Sequence, residues 1–419
     1  MRSLSLLGLI AGLSVAASAE DIAITGGTAY ITGDEVIENA TVLISDGKIE
    51  RVKSGGKVPK GYRIIDASGK WVTVGLMVSS TTLGLGEVSS SAGIVDSSVK
   101  GAVKDTIALD VAYSLNPDST LIPVTRIEGI TRAMTGFSRT GNAWAGQGAV
   151  IHLGDTDDLI VKNPAFVGLN VSGSKADQVS GSRSVLWAGV YKKLEGAEPK
   201  KADKKKSKDE KGDKTPSAEA VALGKLFSGE TTLVVEAHRK SDILQVIKLK
   251  TRFPDIRMVV EGGTEAWRVA ERLAKADIGV ILSGTSNLPG SFETLGATQS
   301  NATRLHAAGV TIAFIGDGSH RAKLMPQHAG NAVAYGLPWA AAFNAMTVNP
   351  AKLFGISESY GSLSKGMDAD VVVWSGDPIE VTSHAEHVVI AGYEIELVSR
   401  QTKLRDRYLT LSRSPAIKQ

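Results

Sequence analysis

The stretch TTLVVEAHRKSDILQVIKLKTRFPDIRMVVEGG, Thr231 to Gly263, decides the fold. Two short apolar runs, Leu233–Val235 and Met258–Val260, flank a segment whose apolar residues Ile243, Val246, Ile247 and Leu249 recur at helical spacing. Apolar runs that do not alternate with polar residues mark strands buried on both faces. Strand, helix and strand in this order make a parallel sheet covered by helices. The texture continues downstream through TEAWRVAERLAKA, IGVILSG, NATRLHAAG, VTIAFIGDG and a helical 328–355. Upstream, VTVGLMVSSTTLGLGEV, from Val72 to Val88, reads as a buried strand that breaks into hydroxyl side chains and a Gly-rich turn. The run from 73 to 360 has the length of a (β/α)8 TIM-like barrel. The fold class expected is therefore α/β.

The two ends differ from this middle. Residues 20–72 and 361–400 alternate apolar and polar residues between Gly and Asp turns, and are expected to pair as a small composite β-sandwich. Residues 401–419 are expected to be a tail. The first nineteen residues read as a signal peptide, with Arg2, the apolar stretch Leu4–Ala16 and a cleavage site after Ala19. The expected location is periplasmic or secreted, without a transmembrane anchor. The chain has no cysteine, so neither disulfides nor a lipid on cysteine would contribute.

The net charge of +3 is uneven. Lys200 to Lys214 carries eight Lys against four acids, and the mature remainder is close to −2. Residues 199–216 are expected to be a disordered Lys-rich insert. Basicity confined to an insert makes nucleic acid an unlikely partner.

Barrels of this kind place working residues at the C-terminal ends of strands. That rule selects Ser80 and Thr82, with Glu87 just beyond; Glu236 and His238; Glu261, Gly262, Gly263 and Thr264; and Asp317, with His320 and His328 in the loop after it. An imidazole at 238 can ligate a metal or move a proton. A carboxylate at 317 can hold a metal or take a proton from water. His152, His306, His384 and His387 read as strand or surface residues. GNAWAGQG, from Gly141, has Gln147 where a phosphate loop needs Lys, and no G-x-S-x-G elbow occurs.

Seven segments, in order, carry a resemblance: ASGKWVTVGLMVSSTTLGLGEV, IEGITRAMTGF, GQGAVIHLG, VVEAHRKSDI, RLHAAGVTIAFIGDG, AMTVNPAKLFGI and GSLSKGMDADVVVWSGDP. With these the chain resembles the amidohydrolase superfamily, near its exported imidazolonepropionase-like branch. The resemblance implies metal-assisted hydrolysis of amide or related C–N bonds. The cofactor implied is a divalent metal, Zn before others. His238 and Asp317 would be its ligands, and Asp317 the catalytic base. Ser80, Thr82, Glu87, Glu236 and His320 would contact substrate. The family's paired histidines at the first strand fall on Ser80 and Thr82 here, and its sixth-strand histidine on Gly262 or Gly263.

Two readings follow. One is a hydrolase of small amide-like substrates with a degenerate metal site, completed by Glu87, Glu236 or Glu261. The other is a catalytically inactive binding or assembly protein on the same fold. A homo-oligomer is open to either.

Overall fold

The computed structural model describes residues 20–87, 95–99, 103, 105–138, 140–172, 182–199 and 215–409. The expected signal peptide, and residues 200–214 of the expected Lys-rich insert 199–216, lie outside them.

Five strands open the chain: β1 (Ile22–Tyr30), β2 (Val36–Ser45), β3 (Lys48–Ser54), β4 (Arg63–Asp66) and β5 (Trp71–Val74). Eight barrel strands follow: β6 (Leu76–Thr81), β7 (Ile130–Thr135), β8 (Trp144–His152), β9 (Ile160–Asn170), β10 (Thr232–Ala237), β11 (Arg257–Gly262), β12 (Gly279–Leu282) and β13 (Ile312–Phe314). β14 (Val371–Trp374), β15 (Ala385–Ile390) and β16 (Tyr393–Ile395) complete the set.

The barrel strands are hydrogen-bonded in chain order from β6 to β13. The ring draws together where Ser79 bridges Ile315 and the Gly316 N–H donates to the Ser79 carbonyl at 3.0 Å. One feature departs from the expected (β/α)8 pattern. β8 runs antiparallel to both β7 and β9, while the other neighbouring pairs are parallel. Connection length is the reason. Residues 136–143 and 153–159 are too few for a parallel crossover, which needs about a dozen or more.

Strands from the two ends of the chain pair with one another, and the expected composite sandwich is not established by this pairing. β14 pairs antiparallel with β5, and β5 pairs parallel with β1. The outcome is one hydrogen-bonded sheet of eight strands, branched where β4 pairs β1. The stretch expected as a tail holds a helix, Arg400–Leu409.

Sheet and barrel are joined at Gly75, between β5 and β6. A side chain there would sit 2.2 Å from Thr131, so only glycine fits. Beside this joint lies a charged cluster. Arg132 of β7, whose side chain is 3% exposed, gives its Nε to Asp370 at 2.9 Å and an Nη to Asp368 at 2.6 Å. Its guanidinium lies 4.4 Å over the Tyr360 ring.

The helix Lys240–Arg252 buries Ile243, Val246, Ile247 and Leu249 against the barrel. Arg239 is the N-cap residue and gives no side-chain acceptor; Glu265, from the loop after β11, accepts the Lys240 N–H at 2.8 Å. Glu265→Ala should therefore cost about 1 kcal/mol in urea unfolding, the usual worth of a lost cap. Asp242 is engaged elsewhere: both its oxygens take the Nε of Arg183.

Candidate active site at the barrel mouth

β10 and β11 are parallel and in register, so Glu236 stands directly beside Glu261. Both open into a cavity of about 260 Å³ at the C-terminal ends of the strands. Its polar wall comes from Ser80, Thr82, Asn170, Glu236, His238 and Glu261. Its apolar lining includes Met134, Phe137 and Phe166 from the segment around β7 to β9.

Five of these six polar groups are held. The Asn170 amide donates to Glu236 at 2.5 Å, and the Ser172 hydroxyl does so at 3.4 Å. The Ser80 hydroxyl donates to Glu261 across the mouth. Ser80 reaches it from a left-handed backbone, φ +66°. His238 is oriented by Thr264, whose hydroxyl lies 2.8 Å from Nδ1. Its Nε2 is 4.0 Å from Glu236. Two carboxylates and an imidazole thus converge on one half-buried space. They can take a proton from water and return one to a leaving amine.

The glycine at 262 explains how His238 is seated. A Cβ at Gly262 would lie 2.4 Å from the imidazole Cε1, and φ is +86°. The ring of His238 occupies the space that a side chain on the sixth-strand position would need. Gly262→His is expected to displace His238 and destabilise the fold by about 1–3 kcal/mol, without creating a metal site. Tight zinc uptake by that variant would contradict this packing argument.

Not all the residues selected from sequence come together here. Glu87, Asp317 and His320 are not among the residues lining the cavity. The Glu87 carboxylate accepts the backbone N–H and hydroxyl of Thr120, at 2.9 and 2.6 Å, where the helix 121–126 starts. His320 is exposed. Asp317 has φ +50°, is 39% exposed, and faces His328 at 3.9 Å. His328 is buried, and its Nδ1 accepts the Gly284 N–H at 3.2 Å. Burial pushes the His328 imidazole down, against the opposing pull of Asp317. This histidine is therefore a neutral brace between the β12 loop and the helix 325–334. Conversely, Asn170 was not singled out, although it ends the apolar run AFVGLN and the strand-end rule applies to it.

The implied metal can now be tested against the donors. Structural and catalytic zinc take three or four protein ligands. Among the described residues no three His, Asp or Glu side chains are grouped to hold a metal ion. His238 faces Glu236, Asp317 faces His328, and Glu261 accepts from Ser80. The hydroxyls of Ser80 and Thr82 are poor ligands where the family has imidazoles. Among the described residues the donor set does not fit the metal, so no step is derived through one.

Residues 224–398 match the model of the amidohydrolase family. The amidohydrolase tasK of Hapsidospora irregularis is 23% identical over 415 residues, which cover 90% of this chain and 41% of that protein. The chain thus spans less than half the length of this relative. An amidohydrolase structure from Thermotoga maritima MSB8 is similar at 25% identity and a TM-score of 0.79, over 90% of this chain and 99% of that one. A putative prolidase from Bifidobacterium longum shares the fold, at 17% identity and a TM-score of 0.53, over 93% of this chain and 100% of that one.

Proposed function

We propose that this chain, which belongs to the amidohydrolase superfamily, hydrolyses a carbon–nitrogen bond of a small amide-like molecule held in the barrel mouth. One observation carries the reading: Glu236, Glu261 and His238 meet on a single cavity at adjacent strand ends. The apolar wall takes the acyl or side-chain portion of the substrate, and the polar wall takes the amide. Glu236, fixed by Asn170, accepts a proton from the attacking water. His238, fixed by Thr264, gives a proton to the departing nitrogen. Glu261 and Ser80 hold the amide in register. Such positioned proton transfers supply about 10²–10⁴-fold each.

The test is steady-state hydrolysis of a panel of dipeptides, N-acyl amino acids and cyclic amides by the purified protein. Turnover of at least one member is expected. A specific observation favours a second reading, a binding protein: among the described residues no group of His, Asp or Glu is assembled to hold a metal. Saturable binding of panel members with no turnover would establish that reading and reject hydrolysis. No helix among the described residues is long and apolar enough to cross a membrane. In line with the sequence reading, the chain would act after export, beyond an inner membrane.

A further inference from the structure

The loop after β12 carries apolar side chains into solvent. Leu288 is 80% exposed, Phe292 87% and Leu295 59%. Large side chains grouped this way on a surface mark a contact site. The loop that bears them is fastened. Phe292 opens a short 3-10 turn, Phe292–Thr294, closed by a capping box between Ser291 and Thr294. Glu293, between the apolar tips, is held by the guanidinium of Arg183 and faces Arg239 at 3.8 Å. Just beyond Leu295, the Gly296 carbonyl accepts the Trp267 indole N–H at 2.9 Å.

The charges around the loop are the second observation. Arg268 and Arg304 lie over the Trp267 ring, at 5.2 and 4.4 Å from its centroid, and Arg304 is exposed. Arg239 and Arg268 stand further into solvent than the carboxylates that face them. Their side chains are 38% and 42% exposed, against 3% for Asp242 and 11% for Glu265. An approaching surface therefore meets guanidinium first, with the carboxylates behind.

We propose that this loop docks on an anionic phospholipid surface. Leu288, Phe292 and Leu295 enter the headgroup layer and leave water, while Arg239, Arg268 and Arg304 take phosphate oxygens. A second copy of this chain suits the patch less well. A two-fold contact would set the patch against itself, guanidinium against guanidinium. The loop leaves the C-terminal end of β12, the end of the barrel that bears the cavity, so the docked molecule has its mouth on the bilayer side. The test is co-sedimentation of the full chain with phosphatidylglycerol vesicles, against phosphatidylcholine vesicles. At least tenfold stronger partition onto phosphatidylglycerol is expected, weakening as salt is raised. The Leu288→Ser/Phe292→Ser double variant should lower that partition at least tenfold. Both side chains are exposed, and an unchanged urea midpoint checks that the fold is kept. Arg268→Gln/Arg304→Gln should weaken the partition severalfold. No partition, or partition unchanged in the Leu288→Ser/Phe292→Ser variant, would overturn the proposal. The second of these results would assign lipid binding to charge alone, as in the Lys-rich residues 200–214. A dimer seen by sedimentation velocity without lipid, and lost in Phe292→Ser, would give the loop to a second copy and overturn it as well.

Discussion

Glu236→Gln is expected to lower kcat/KM for amide hydrolysis about 100-fold or more, with the fold unchanged. Glutamine keeps the shape and can still accept from Asn170, but it cannot take a proton from water. The loss should fall on kcat, because the carboxylate acts in the proton transfer and is not the main contact to substrate. His238→Asn should give a loss of similar size by removing the donor to the leaving nitrogen. Asp317→Asn is the discriminating control. Its side chain faces His328 outside the cavity, so only a few-fold change is expected. Wild-type rates in Glu236→Gln together with abolished activity in Asp317→Asn would return the chemistry to the last strand and reject this assignment.

Arg132→Met should be the most destabilising single change at the joint, by about 3–5 kcal/mol in urea unfolding. The substitution leaves Asp370, wholly buried, and Asp368 without the guanidinium that compensates them. Removing one partner of a buried pair is worse than never having had it, because the remaining charge stays out of water. The cluster also sets an acid limit. Burial on its own would raise the Asp368 carboxyl; hydrogen bonds from Lys48 and Arg132 outweigh it and hold the group below the ordinary carboxylate range. A carboxyl depressed in the folded state stabilises fully above its unfolded value and loses that contribution as pH falls through the folded one. Stability should therefore be flat near neutrality and drop in the acid range below about pH 4. A variant with wild-type urea midpoint would show that the cluster is not coupled to the fold.

The barrel was legible where physics is local. β10, the helix 240–252 and β11 are written as apolar runs and a helical stripe within one stretch. The reversal of β8 was not, since a strand's direction leaves no mark on its own composition; only the short connections on either side betray it. The strand-end rule selects Ser80, Glu236, His238 and Glu261, which line the same cavity. Their pairing depends on register across some twenty-five residues, Glu236 beside Glu261, which no local pattern fixes. Asp317, selected by the same rule, is not among the residues lining the cavity; its backbone is left-handed and its side chain lies 3.9 Å from a histidine on the next helix. Glu265 caps a helix that begins twenty-five residues earlier, a contact made by folding alone.

The most direct measurement is hydrolysis of the amide panel by protein stripped with chelator, with metal content read on the same sample before and after. The acid–base site described above predicts turnover that survives stripping and gains nothing from added Zn²⁺. Activity that vanishes with the metal and returns with it would contradict the account, and would mean that a donor set beyond the described residues holds the ion.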